Sequence, residues 1–254
     1  MCFDHDSRPP IPPIAGGSLD ASEIALDAAD GNHFAAYLAR AAEPTGAGIV
    51  VLPDVRGLHA YYRDLALRFA ENGIDAIAID YFGRTAGIGD RGPGFEYQEH
   101  VPLTTYDGLR ADVTAAAAHL RAETGATRVF TIGFCMGGRL SFLSAGIGLG
   151  LAGVIGFYGW PVGPARNGTP APADVAGTFE SPVLAIFGGG DEGIGQPAIS
   201  TFEAALAAAG VRHEVTVYPK APHSFFDRKA DEFSTTSAKA WEQTLGFIRA
   251  GDAV

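Results

Sequence analysis

Cysteine is scarce in this chain of 254 residues, which has only Cys2 and Cys135. Two cysteines cannot form a disulfide framework, so a reducing compartment and a cytoplasmic location are expected. The amino terminus has neither a basic segment nor an apolar stretch and does not resemble a secretion signal. No apolar run approaches the ~20 residues needed to cross a bilayer, so no membrane partner is expected.

Basic residues are also few: 18 lysines and arginines face 29 acidic residues, giving a formal net charge of −11. This balance argues against nucleic acid or an anionic membrane surface as a partner. No spacing of histidine, cysteine or carboxylate residues indicates a metal site, and no cofactor is expected. A small-molecule substrate remains, and an anionic one would require local arginines. The oligomeric state is not indicated.

Apolar segments rich in β-branched residues alternate with segments of helical periodicity. This alternation predicts one α/β domain over residues 1–254, with a doubly wound, mainly parallel sheet and an irregular arm at residues 1–17. A turn at residues 30–32 predicts an amino-terminal hairpin. The predicted strands cover residues 23–27, 33–38, 48–53, 74–79, 129–132, 151–158, 182–187 and 212–218. The predicted helices cover residues 61–71, 106–122, 138–143, 199–209 and 233–248.

Two long irregular segments, residues 80–104 and 159–181, interrupt this pattern, and loops of such length in a compact domain are usually functional. Residues 148–153 match the glycine pattern of a dinucleotide-binding loop. They precede a predicted strand instead of following one, however, so the helix terminus that would hold a phosphate is missing.

Residues 129–140 form the segment around which the chemistry is organised. An apolar strand is followed by a sharp turn at Cys135 and then by a helical segment, with Gly133 and Gly137 two residues either side of the cysteine. This is the spacing of a nucleophile elbow, in which glycines avoid a collision across a strained turn. The alternative is a buried core cysteine, a common fate of this residue.

Other reactive side chains follow the remaining predicted strands. Asp54, Arg84, Asp191 and His223 each come shortly after a strand, as Cys135 does, and in such sheets sites form beyond the carboxyl ends of the strands. Cys135, Asp191 and His223 stand in the chain order nucleophile, acid, histidine, which is the order of α/β-hydrolases. His59 and His100 are also in loops and remain possible bases. Asp191 has the alternative of a helix-cap residue.

The elbow motif at residues 133–138, the Asp191 loop and residues 222–226 together resemble the dienelactone hydrolase (carboxymethylenebutenolidase) family. The resemblance extends from about residue 24 to residue 248. It implies the α/β-hydrolase fold and a catalytic triad of Cys135, His223 and Asp191. It also implies an oxyanion hole formed by the backbone N–H groups of Met136 and Val55.

The same resemblance implies three further residues that interact with the thiol or the substrate. A carboxylate that contacts the resting thiol, usually glutamate, corresponds to Asp54, which is one methylene shorter. Two arginines that hold a substrate carboxylate correspond to Arg84 and, less closely, to Arg228. The second arginine is expected four residues after the histidine, where this chain has Asp227.

The hypothesis from sequence is therefore a hydrolase that opens a lactone, or cleaves a related activated ester, through a cysteine acyl-enzyme. Its substrate is expected to carry a carboxylate. Two alternatives are a general carboxylesterase or thioesterase with another acyl group, and a ligand-binding member of the fold that does not turn over.

Overall fold

The structure is a computed structural model that describes residues 6–251. Cys2 and the first five residues of the predicted amino-terminal arm lie outside the described residues, as do residues 252–254. Residues 6–17 contain no helix or strand. No helix within residues 6–251 is both long and apolar enough to pass through a lipid bilayer.

Eight strands form one sheet in the order β1-β2-β4-β3-β5-β6-β7-β8. The hairpin of β1 and β2 is antiparallel, β2 pairs antiparallel with β4, and all other neighbours are parallel. The predicted mainly parallel sheet with an amino-terminal hairpin is thus confirmed. The strands are β1 (Ser18–Asp27), β2 (His33–Ala41), β3 (Ala47–Leu52), β4 (Ile74–Ile79), β5 (Arg128–Phe134), β6 (Gly153–Phe157), β7 (Val183–Gly188) and β8 (His213–Tyr218).

Helices connect the parallel strands and cover the sheet. The long predicted helices are found with ends shifted by a few residues, and the two long irregular segments contain short helical turns that propensity alone does not predict. The helices are α1 (Ala60–Ala70), α2 (Gly83–Ala86), α3 (Tyr97–His100), α4 (Tyr106–Thr124), α5 (Met136–Ser144), α6 (Pro172–Val175), α7 (Gln196–Ala208) and α8 (Ser234–Ala250), with 3₁₀ turns at Val101–Leu103 and Ala176–Thr178.

Local sequence explains where the longest connecting helix begins and ends. The Thr105 side chain accepts a hydrogen bond from the Gly108 N–H at 3.1 Å, which caps the first turn of α4. Gly125 ends α4 in the left-handed conformation with φ of 71°, which a residue without a Cβ adopts at little cost. The strands β3, β4 and β7 are buried along their whole length, as their continuous apolar runs predict.

The loop after β8 is held against the sheet by buried hydrogen bonds. The Tyr158 hydroxyl, directly after β6, donates to Asp227 Oδ2 at 2.7 Å, and the backbone N–H of Arg228 donates to Asp227 Oδ1. The Tyr61 hydroxyl donates to the Phe226 carbonyl at 2.8 Å. These contacts fix the path of the chain just after His223.

Asp227 has an unusual environment for a carboxyl group. It is only 3% exposed. Burial raises its pKa to about 8, although the hydrogen bond from Tyr158 and that from the Arg228 backbone both act in the opposite direction. An unfolded aspartate has a pKa of about 3.9. Folded Asp227 therefore retains a proton that the unfolded chain releases, over the window from about pH 4 to pH 8.

We expect the Asp227 contribution to stability to fall as pH rises through this window, by at most about 1.4 kcal/mol per pH unit. The variant Asp227→Asn mimics the protonated carboxyl and should lack this component. Urea unfolding at pH 5, 6, 7 and 8 should therefore show wild type losing stability relative to Asp227→Asn as pH rises. Asp231→Asn, the same change at an exposed position, is the control. Parallel pH profiles for wild type and Asp227→Asn would contradict the expectation.

Candidate active site

Cys135 occupies a strained turn between the central strand β5 and helix α5. Its backbone has φ of 56° and ψ of −113°, a conformation rarely adopted by a residue with a side chain. A Cβ added to Gly133 would overlap the Gly137 carbonyl, and one added to Gly137 would overlap the Leu52 carbonyl oxygen. The two glycines are therefore required by close packing, as the elbow spacing predicts.

The elbow is anchored on both sides in the sheet. The Cys135 N–H donates to the Phe157 carbonyl at 3.1 Å, and the Arg139 N–H donates to the Cys135 carbonyl at 3.2 Å as the first bond of α5. Cys135 is 5% exposed and lines a cavity of about 300 Å³. The thiol is therefore buried from bulk solvent yet borders a space that a small molecule can occupy.

Met136 and Val55 line the same cavity as Cys135. Met136 is the first residue of α5, and N–H groups in the first turn of a helix have no acceptor within that helix. The positive end of the helix dipole adds to their affinity for negative charge. Val55 lies in the turn after β3, the strand that pairs with β5. The two residues that the resemblance implies as oxyanion donors therefore border the same space as Cys135.

Asp191 and His223 are joined across the loops that follow β7 and β8. His223 Nδ1 lies 2.6 Å from Asp191 Oδ2, while Asp191 Oδ1 accepts the N–H groups of Gly193 at 2.8 Å and Ile194 at 3.3 Å. Burial raises the pKa of Asp191, but the hydrogen bond and charge of His223 and the two backbone donors outweigh it and leave the pKa lowered. Asp191 is therefore held as a carboxylate that orients the imidazole.

Close backbone contact brings these two loops together. The Gly189 N–H donates to the Tyr218 carbonyl and the Gly190 N–H to the Ala221 carbonyl, at 2.8 and 2.9 Å. A Cβ on Gly188 would overlap the Ala221 carbonyl. The glycines before Asp191 are thus explained by the approach of the histidine loop as well as by the turn itself.

The sequence alone did not identify the aromatic side chains that contact His223. The Tyr158 and Trp160 rings each lie with centroids 4.7 Å from the imidazole. Trp160 also lines the Cys135 cavity, and its Nε1 donates to the Gly193 carbonyl at 3.1 Å. Tyr158 follows β6 directly and Trp160 is the third residue after it, a position at the same sheet edge that could have been a signal. Of the other candidate bases, His100 stacks on Phe95, with centroids 5.0 Å apart, and His59 is buried at the start of α1.

Arg84, predicted as a substrate ligand, is not among the residues that line the Cys135 cavity. Its Nη2 donates to Asp112 Oδ1 and to the Gly108 carbonyl, both at 2.8 Å, and its fork also binds Asp30. Asp112 is fully buried in α4. Arg84 therefore connects the hairpin turn to α4, and its charge is neutralised there by two carboxylates.

Arg228 is likewise absent from the cavity lining and is exposed, while the preceding Asp227 points into the interior. Asp54 is fully buried beside the cavity residue Val55. Its Oδ1 accepts the Arg56 N–H at 2.9 Å, and its own N–H donates to the Tyr62 hydroxyl at 3.0 Å. The Asp54 carboxylate is thus engaged in a turn of its own loop.

A profile of the dienelactone hydrolase family matches residues 34–251. The chain is 28% identical to a carboxymethylenebutenolidase of Rhodococcus opacus, covering 98% of this chain and 96% of the relative. It is 30% identical to a Salmonella typhimurium protein provisionally named as a carboxymethylenebutenolidase, covering 96% of each. A crystal structure from Klebsiella pneumoniae, provisionally described as a dienelactone hydrolase, superposes with a TM-score of 0.77 at 30% identity, covering 90% of this chain and 99% of that one.

The extent of these matches confirms the resemblance and the fold that the elbow, the Asp191 loop and the histidine motif predicted. With the profile covering most of the described residues, the chain belongs to the dienelactone hydrolase family and is a carboxylic ester hydrolase of that kind.

Proposed function

We propose that this hydrolase opens a lactone, or cleaves a related activated ester, through a thioester formed on Cys135. The observation that carries the proposal is the position of Cys135 at a strained elbow that borders a cavity shared with Met136 and Val55. A hydrogen-bonded Asp191–His223 pair at the same edge of the sheet supports it. A substrate carboxylate, expected from the family, is part of the proposal.

In the first half of the proposed reaction, His223 takes the proton of the Cys135 thiol, the sulfur attacks the substrate carbonyl, and the carbonyl oxygen gains the negative charge. The N–H groups of Met136 and Val55 stabilise that charge. Collapse of the intermediate breaks the carbon–oxygen bond of the ester, and protonated His223 supplies a proton to the departing oxygen. A lactone is opened at this step and stays attached as a thioester.

In the second half, His223 removes a proton from water, which attacks the thioester and releases the acid and the Cys135 thiolate. Asp191 holds Nδ1 of His223, so Nε2 is the nitrogen that exchanges protons in both halves. A thiolate is itself a good leaving group, so the first tetrahedral intermediate can expel the Cys135 thiolate and regenerate the substrate. Substrates whose oxygen departs readily, such as enol lactones and aryl esters, are therefore favoured over amides.

Replacement of the proposed nucleophile is the direct test. We expect Cys135→Ala to abolish hydrolysis of 4-nitrophenyl acetate and of an enol lactone while the thermal unfolding midpoint changes little, because the elbow glycines remain. Cys2→Ala, which removes the only other thiol, should leave activity intact. Rapid quenching of wild type followed by mass spectrometry should show one acyl group on Cys135. Full activity in Cys135→Ala would refute the proposal.

Substitutions of His223 and Asp191 should lower activity by different amounts. We expect His223→Ala to lower kcat/KM by roughly 10²–10⁴-fold, since base and acid assistance are lost together. Asp191→Asn should cost less, because the imidazole of His223 remains. An amide whose oxygen accepts the Gly193 N–H presents its NH₂ group to Nδ1, so only the orientation and charge stabilisation of His223 are lost. Glu192→Gln, at the adjacent exposed position, is the matched control. A silent Asp191→Asn beside a damaging Glu192→Gln would show that the acid is misassigned.

Asp54 is proposed to restrain the resting thiol by charge repulsion, more weakly than the family's glutamate. Its carboxylate is one methylene shorter and already accepts the Arg56 N–H. A nearby carboxylate disfavours a thiolate. We expect Asp54→Glu to slow iodoacetamide alkylation of Cys135 near neutral pH, in a Cys2→Ala background.

The alkylation rate should be followed from pH 5 to pH 9, with urea-unfolded protein as the control for intrinsic thiol reactivity. Both proteins should react alike when unfolded and differ only when folded. Equal rates in the folded state, or faster alkylation of the glutamate variant, would show that the length of the side chain at position 54 does not control the reactivity of Cys135.

A further inference from the structure

The cavity next to Cys135 has an apolar body and one polar end. Its apolar lining comes from the loop after β3, from the region around α3 and α4, from α5, and from the loop after β6. The polar end is formed by Arg139, Arg166, Asn167 and Thr169. The apolar residues are Val55, Val101, Leu109, Met136, Leu140, Trp160, Pro164 and Ala165. A ligand that fills this space is expected to be apolar with one polar terminus.

Arg139 brings a buried positive charge to the polar end. It is 5% exposed, and its guanidinium donates to the Thr169 hydroxyl at 3.2 Å, the Trp160 carbonyl at 3.1 Å, and the carbonyls of Gly163 and Thr169 at 2.9 Å. Every one of these acceptors is neutral. Among residues 6–251 no carboxylate lies within ion-pair distance of it.

Burial lowers the pKa of Arg139, and Asp174 opposes this only through longer-range attraction. A buried charge without a counter-ion is costly, so an anion that enters the cavity would be stabilised by it. The hydrogen-bond donors of Arg139 are themselves occupied mainly by acceptors in the loop at residues 160–169. It therefore supplies electrostatic potential and holds that loop in place.

Arg166 is the second cation of the cavity and has a different character. It is exposed, and Nη2 donates to the Gln98 carbonyl at 3.1 Å. A guanidinium has five N–H donors arranged to match a carboxylate. Arg166 is carried by the same loop that Arg139 holds, so the two positive charges face one ligand space.

Within the described part of the chain, these two arginines are the only cationic residues that line the cavity. Arg84 is neutralised by Asp30 and Asp112, and Arg228 is exposed elsewhere. The two arginines that the family resemblance implied are therefore not part of this cavity's lining. A protein of net charge −11 has nevertheless concentrated positive charge beside its proposed nucleophile.

We propose that Arg166, assisted by the field of Arg139, binds the anionic end of the acyl substrate and determines specificity for carboxylate-bearing esters and lactones. This inference rests on the proposed function of Cys135. The substrate class is an acyl group with an apolar body and a terminal carboxylate, its reacting carbonyl at the elbow and its carboxylate at the loop of residues 160–169.

The kinetic test compares pairs of esters that differ only in terminal charge. Mono-4-nitrophenyl esters of the four- to eight-carbon diacids are matched with 4-nitrophenyl esters of the corresponding monoacids. We expect Arg166→Gln to lower kcat/KM for the best anionic ester by about tenfold to a hundredfold, mainly through KM, since the lost contact is charge-assisted. The neutral partner should change by no more than about twofold, and Arg166→Lys should retain part of the preference.

Two controls locate the effect. Arg110→Gln removes the same charge from an exposed face of α4 outside the cavity and should leave the preference unchanged. Arg228→Gln tests the anchor suggested by the resemblance and should also be without effect. An equal loss on neutral and anionic esters in Arg166→Gln, or a lost preference in Arg228→Gln alone, would overturn the assignment.

A binding measurement separates this inference from the proposed catalytic mechanism. Calorimetric titration of Cys135→Ala with the free diacids should show binding that weakens in Cys135→Ala/Arg166→Gln. If wild type hydrolyses no ester, or Cys135→Ala remains active, the proposed function fails while the calorimetry still decides the anion site. If neutral esters are hydrolysed through Cys135 but the diacids bind both proteins equally, only the Arg166 assignment is overturned.

Discussion

The close approach of helix α5 to the end of strand β3 is the constraint on which the rest of the site depends. Gly137 lies so near the carbonyls of Leu52 and Pro53 that a Cβ would overlap both. This contact places the first turn of α5 next to the turn that contains Val55. The strained conformation of Cys135 is maintained because the surrounding sheet leaves the chain no other path. One pair of glycines therefore fixes the proposed nucleophile and both proposed oxyanion donors together.

The other proposed catalytic residues, Asp191 and His223, lie on separate loops, so their relative position depends on contacts between those loops. The Asp191 loop and the His223 loop are tied by backbone hydrogen bonds at Gly189 and Gly190. Behind them, Tyr158 packs on the imidazole while its hydroxyl holds Asp227. A buried carboxyl that retains its proton costs less than a buried charge, which explains how an acid can occupy this position.

The sequence predicted the features that depend on local pattern. Buried parallel strands appear as continuous apolar runs, and the elbow requires glycines at fixed spacing, so β3, β4, β5 and the turn at Cys135 could be located. The positions of Cys135, Asp191 and His223, each after a parallel strand, placed all three at one edge of the sheet. Each of these inferences needs only neighbours in sequence and the rule that parallel strands end at one edge.

The features that the sequence did not predict depend on distant partners. The two carboxylates that neutralise Arg84 lie 54 and 28 residues away, so nothing near Arg84 distinguished an interior ion pair from a substrate ligand. Trp160 and Arg166 lie in an irregular loop without periodicity. Their place at the cavity follows from the hydrogen bonds of Arg139, which links the elbow helix to that loop across 21 to 30 residues.

The proposed catalytic residues and the proposed substrate-specificity residues thus lie on different parts of the fold. The elbow and the Asp191–His223 pair are fixed by backbone contacts in and around the sheet, where most substitutions would collide. The polar end of the cavity is instead built on the loop at residues 160–169, whose main link to the elbow helix is the Arg139 side chain. Trp160 is tied to both structures, because it also contacts His223 and Gly193. Changes at residues 163–169 can instead alter the charge offered to a substrate while the elbow stays in place, since the hydrogen bonds from α5 to these residues are made by the Arg139 side chain. Loops positioned by a rigid scaffold commonly carry specificity for this reason.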